Sequence, residues 1–215
     1  MKNILLITLA ILFVASCQQA TTVENTVEVV LNDTDEPSGP HTSSEWKIWA
    51  YSTAAPSYIA ENCTVVDVDG SILREGSNGW TAMAANPRGM ADPENGWKDP
   101  HEAMPMVGDG PAMQWAMAYM SGKIPEIDSD GFAWMLHGDM GEDNTKQLVF
   151  NKEDAAEGQW IESGPHLMLF PKDPATLEGQ TTDFNTGAPY IMFAGAGYDH
   201  LMIPVQDYYK YQAQK

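Results

Sequence analysis

The chain has 215 residues, and its 30 Asp and Glu against 11 Lys and Arg leave a net charge of −19 at pH 7. So acidic a surface repels phosphate backbones and anionic headgroups, which argues against nucleic-acid binding and against electrostatic adsorption to lipid. Two readings of the charge stay open: a solvated acidic surface suited to a saline environment, or carboxylates clustered to bind cations.

Residues 1–16 carry one positive charge, Lys2, then an apolar run over 4–14 and the small pair Ala15-Ser16. That is the layout of a cleaved signal peptide. The run falls short of the roughly twenty residues that a spanning helix takes. Val14-Ala15-Ser16-Cys17 resembles the bacterial lipobox, and the resemblance implies lipidation of Cys17 and cleavage just before it. An ordinary secretory signal cut further on is the alternative. Gln18 in place of Asp implies sorting to the outer membrane. Without Lys2 the net charge of −19 becomes −20. The segment 18–43 is rich in Thr, Glu, Asn and Asp and has no aromatic residue, so 17–43 reads as a lipidated cysteine on a flexible tether. The remainder, 44–215, suits one domain with its own core.

In chain order, Thr42-Ser43-Ser44-Glu45 has the spacing of a capping box and opens a short aromatic helix over 46–52. Strands are expected over 63–68, 71–75 and 80–84, joined by Asp69-Gly70 and Ser77-Asn78-Gly79 turns, which reads as a β-meander. From 86 to 110 four prolines, four glycines and no usable period predict a long acidic loop. Pro111 starts a helix to 121 under an Asp109 or Gly110 cap, with Met113, Met117 and Met120 on one stripe as core packing.

A strand over 131–137 follows, and 138–158 reads as a second long acidic loop. Short strand character at 160–163, a clear strand at 165–170 and a helical turn at 174–178 lead to a closing hairpin, 189–194 and 198–205 around Gly195-Ala196-Gly197. The expected class is α+β: a mainly antiparallel sheet with two short helices and two long acidic loops.

Chemistry is concentrated in two similar segments, Pro165-His166-Leu167-Met168-Leu169-Phe170 and Asp199-His200-Leu201-Met202-Ile203-Pro204. In a strand, residues two apart share a face, so His166 joins Met168 and His200 joins Met202. A three-residue hairpin loop would also set Met192 opposite His200 and Tyr190 opposite Met202; a four-residue loop would send Met192 to the other face. Imidazole with thioether is a ligand set for Cu(I), so His166, Met168, His200, Met202 and Met192 are the candidate metal residues and copper the candidate cofactor. Ordinary core packing is the competing reading of the same pattern. His137, Trp134 and Tyr190 are further pocket candidates.

Cys63, which has no cysteine partner once Cys17 is lipidated, reads as a small buried hydrophobe. There is no Gly-x-Ser-x-Gly elbow, His-Glu-x-x-His helix or Gly-rich phosphate loop. A hydrolase would need a non-sequential triad from Ser163 or Cys63, His166 or His200, and Asp183 or Asp199. The acidic loops offer Asp92, Glu94, Asp99 and Glu102, and Asp139, Glu142, Asp143 and Asn144, without EF-hand spacing.

Gly76-Ser77-Asn78-Gly79-Trp80, Ser163-Gly164-Pro165-His166-Leu167-Met168 and the closing stretch 187–205 resemble an uncharacterised family of small exported bacterial proteins. The resemblance implies export and one domain, and no reaction. Where it associates cysteines with the region after Trp80, this chain has Thr81-Ala82-Met83. The first expectation is a non-enzymatic, periplasm-facing outer-membrane lipoprotein that binds a metal ion or small apolar ligand beside His166, His200 and the methionines. A hydrolase using those histidines and a structural lipoprotein of the envelope are the alternatives.

Overall fold

His166-Leu167-Met168-Leu169-Phe170 alternates in space as it does in sequence: His166, Met168 and Phe170 are buried, and the two leucines between them are half-buried. This strand is one of eight in the main sheet of the computed structural model, which describes residues 35–89 and 92–212. Cys17 and residues 18–34 lie outside the described residues. The strands are β1 (Thr64–Val66), β2 (Ile72–Arg74), β3 (Thr81–Ala84), β4 (Pro105–Gly108) and β5 (Gly131–Met135), then β8 (His166–Phe170), β9 (Tyr190–Met192) and β10 (His200–Pro204). Between β5 and β8 the short pair β6 (Glu142–Asp143) and β7 (Trp160–Ile161) forms a second sheet. The main sheet runs β2-β1-β3-β4-β5-β8-β10-β9. Its pairs are antiparallel except β1 with β3. With the helices α1 (Ser44–Ser52), α2 (Ser57–Ala60), α3 (Pro100–Ala103) and α4 (Gly110–Met120), this is a single α+β domain.

The opening is not a meander. Antiparallel β1 and β2 form a hairpin, but β3 lies parallel to β1 on its other side. The chain between them crosses close to its own start: a Cβ on Gly76 would sit 2.1 Å from Thr64 N. Periodicity shows which segments are strands, and it leaves their order open.

The 86–110 stretch is no plain loop, for it holds α3 and the central strand β4. All four residues of β4 are buried. A strand covered on both faces shows no alternation, and Pro105 stands at its first position, where a missing N–H is tolerated.

Helix α4 is capped by Asp109, whose Oδ1 accepts the Ala112 N–H at 3.0 Å while Oδ2 accepts that of Phe132 in β5 at 3.1 Å. Its buried residues are Ala112, Trp115 and Tyr119, not the predicted methionine stripe, of which Met117 is 63% exposed and Met120 49%. Trp115 and Tyr119 bury more apolar area than methionine does and stack on each other at 5.5 Å, so they set which side of the helix faces inward. Gly131 lets that helix come close: a Cβ there would lie 2.5 Å from Ala112 N.

Each sheet face has its own core. Helix α1 covers one, where Trp46, Tyr51, Val65, Ala82 and Val107 pack; α4 covers the other, against Ala133, Met135, Met168, Phe170 and Met202. Ser43 Oγ caps α1 by accepting the Trp46 N–H. Ordered packing begins before 44: Trp46 Nε1 donates to Glu36 at 2.8 Å, and His41 stacks on the Trp46 ring at 4.2 Å. No helix among the described residues is long and apolar enough to cross a membrane.

Candidate functional site

Strand register assembles the site. Met202 of β10 pairs with Met168 of β8 and with Tyr190 of β9, and His200 pairs with Met192. This is the register of a three-residue hairpin loop. Across β5 and β8, Ala133 pairs with Met168 and Met135 with His166. On the face under α4, Met168 and Met202 therefore form a central row. His166 and Met135 lie one row to one side, and His200 and Met192 one row to the other.

Over this face α4 leaves a cavity of about 90 Å³. The five metal candidates His166, Met168, His200, Met202 and Met192 all line it. Trp115, Ala116, Tyr119 and Met120 line it from the helix, and Met135 from β5. Met104, Met106, Phe170 and Phe193 add to its apolar wall, with Ala85 and Pro87. Met104 and Phe193 hold φ of 48° and 59°, left-handed conformations that cost a non-glycine residue on the order of 1 kcal/mol or more. Of the four non-glycine residues with positive φ among those described, these two are at the cavity.

The imidazoles differ in surroundings. His166 Nδ1 lies 2.7 Å from Gly164 O and His200 Nδ1 lies 3.0 Å from Tyr198 O. A carbonyl only accepts, so in both rings the proton sits on Nδ1 and the lone pair on Nε2. His166 is 0% exposed and its Nε2 has no hydrogen-bond partner. His200 is enclosed by aromatic rings, with centroids at 5.0 Å for Trp115, 5.2 Å for Phe170 and 5.6 Å for Phe193. Burial holds His200 down at about 4, and lowers His166 as well, against the opposing pull of Asp139.

Two carboxyls also line the cavity. Asp139 Oδ1 accepts the N–H groups of Gly141 at 2.9 Å and Ser163 at 3.2 Å, and burial raises its pKa. Glu142 keeps part of its surface in solvent, yet its carboxyl end lies under Tyr119, whose hydroxyl donates to it. Burial of that carboxyl end pushes Glu142 up to about 8. Arg88 ties down the loop around it, donating to Gly141 O at 2.6 Å and Phe150 O at 2.8 Å and approaching Met104 Sδ at 3.7 Å.

The other sequence candidates lie elsewhere. Tyr190 shares the methionine face but is not in the cavity wall; its hydroxyl is 2.6 Å from that of Tyr208. Trp134 points to the opposite face, against the α1 core. His137 lies past the end of β5, with Nε2 2.8 Å from Thr53 Oγ1. Burial lowers its pKa to about 4. Cys63 is fully buried, and its thiol donates to Ala60 O.

No triad forms from the predicted members among the described residues. Ser163 Oγ accepts from Tyr208, Asp183 closes a turn with Asn185, and Asp199 accepts from the Gly195 and Gly197 N–H groups. The acidic loops use their carboxylates on backbone: Asp92 accepts from Glu94 and Asn95, Asp99 caps α3, and Asp143 accepts from Thr145, Lys146 and Ala156. Among the described residues no three His, Cys, Asp or Glu are grouped to hold a metal.

Sequence reasoning missed Met135, Trp115, Tyr119, Asp139 and Glu142 as parts of the site. Met135 carried a signal, since it occupies an inward position of an alternating strand. The rest depend on how α4 and the 138–143 segment lie over the sheet. No family model, curated protein or solved structure matches the chain.

Proposed function

We propose that the domain is a binding module whose site is the cavity under α4, and that the full protein is a lipoprotein anchored through Cys17 and facing the periplasm from the outer membrane. The observation that supports binding is His166 Nε2, buried and without a partner in the cavity wall. Leaving a buried polar atom unpaired costs about 1–3 kcal/mol, an expense that a ligand offering a hydrogen-bond donor or a vacant metal orbital removes.

Volume sets the ligand's size. Drug-sized molecules take roughly 300–1,000 Å³, and an engineered cavity of roughly 150 Å³ takes benzene. At about 90 Å³, this site suits an ion or a molecule of a few heavy atoms.

The test is native mass spectrometry with elemental analysis on the full chain isolated from its membrane, beside His166→Ala checked for folding by circular dichroism. One equivalent of a small ligand in the parent and none in the folded variant is expected; ligand-free parent, or equal loading of both, overturns the reading. For the anchor, radiolabelled fatty acid should enter the parent and not Cys17→Ser.

A further inference from the structure

We propose that the ligand is a soft monovalent metal ion, Cu(I), held by His166 Nε2 with the thioethers of Met135, Met168 and Met202. This rests on the cavity being the binding site and goes further by naming the ion and the ligand set.

The argument begins with register. Met135 stands directly across from His166 on β5, Met168 is two residues along on β8, and Met202 stands across from Met168 on β10. Neighbours of this kind have Cβ atoms about 5–7 Å apart, a gap that flexible thioethers close around one centre. All four side chains line the cavity, and the Nδ1–H···O=C bond to Gly164 fixes the imidazole with its lone pair on Nε2.

His200 is not part of this set. It lies four residues along β10 from Pro204, the partner of His166, which is about 14 Å of strand. The two histidines therefore stand in rows on either side of the Met168–Met202 row. Trp115, Phe170 and Phe193 pack around His200, making it part of the wall.

Ligand chemistry then selects the ion. Neutral thioethers are soft and bind divalent Zn, Mn or Ca poorly, whereas Cu(I) accepts sulfur and imidazole at low coordination number. The absence, among the described residues, of any group of three His, Cys, Asp or Glu points away from hard cations. Asp139 also lines the cavity and interacts electrostatically with His166, placing an acidic group beside a single positive charge.

The experiment uses the full chain carrying Cys17→Ser, so that no lipid-anchor thiol competes, titrated anaerobically with Cu(I) against a chromogenic chelator. One equivalent is expected to bind, with the ¹⁵N resonance of His166 Nε2 shifting and that of its Nδ1 nearly unmoved. Adding Cys63→Ala should leave stoichiometry unchanged. His166→Ala should abolish binding, and Met135→Leu/Met168→Leu/Met202→Leu, which keeps apolar volume, should weaken it at least tenfold in a folded protein. Retention by the triple variant, or loss in His200→Ala but not His166→Ala, overturns the ligand set. If the parent takes no Cu(I) while native mass spectrometry finds another small ligand, the copper assignment falls and the binding module stands; if neither binds, both fall.

Discussion

The Gly164 carbonyl accepts the Nδ1–H of His166 at 2.7 Å, so a backbone two residues upstream sets which ring nitrogen keeps its lone pair free. Gly164 is itself held against the C-terminal segment: its N–H donates to Tyr208 O at 2.8 Å, and a Cβ there would lie 2.4 Å from that oxygen. Gly164→Ala should push the two segments apart and cost about 1–3 kcal/mol, the range for an overpacked site. Urea denaturation reads the loss, and the His166 ring ¹⁵N shifts should change with it. A variant as stable as the parent would mean the segments part without strain.

Stability should peak near pH 6.5. Glu142 has its folded pKa raised to about 8 from 4.5, so between those values the folded state keeps a proton the unfolded chain has lost, and stability falls as pH rises. Asp139 is raised too and acts in the same sense. His200 and His137 are lowered from 6.5 to about 4, and His166 is lowered as well. There the unfolded chain takes up protons first, and stability is lost as pH falls through 6.5 toward 4. Above 6.5 Glu142 acts without the imidazoles; from 6.5 down to 4.5 the two imidazoles held at about 4, His200 and His137, outweigh it. Each group contributes at most about 1.4 kcal/mol per pH unit. Chemical denaturation from pH 4.5 to 8.5 checks the shape, and Glu142→Gln should flatten the alkaline limb and steepen the acid limb, where Glu142 opposes the imidazoles.

Phe170 is fully buried between Trp115, at 4.4 Å, and the His200 ring, at 5.2 Å. Removing its ring takes away the packing that holds α4 on β8. Phe170→Ala should cost about 3–5 kcal/mol, whereas Phe170→Leu should cost less than half as much. Thermal unfolding of the pair separates them; equal losses would show that the aromatic contacts, and not the filled volume, carry this packing.

The Cys63 thiol is fully buried, its pKa raised by burial despite the nearby Arg74 guanidinium. In a Cys17→Ser chain, a thiol-reactive disulfide reagent at pH 7.5 should label it only at the rate of unfolding. Stoichiometric labelling within seconds in native buffer would contradict this and reopen a nucleophilic role.

What the sequence determined by itself was local. Alternation in 165–170 and 200–204 placed His166, Met168, His200 and Met202 on inward positions, and the Gly195-Ala196-Gly197 turn set the register that brought Met192 opposite His200. Strand period and hairpin length are short-range properties, so neighbouring residues suffice to read them. The tertiary structure decided everything that depends on which segments become neighbours. β4, buried on both faces, shows no period, so its sequence reads as loop. The parallel placement of β3 beside β1 leaves no trace in either strand. The division of His166 from His200, one with a free Nε2 among thioethers and the other ringed by aromatics, arises because α4 turns Trp115 and Tyr119 inward and lowers them onto one end of the sheet. That choice follows from the total apolar area buried across all the elements of this core, and no single segment carries it.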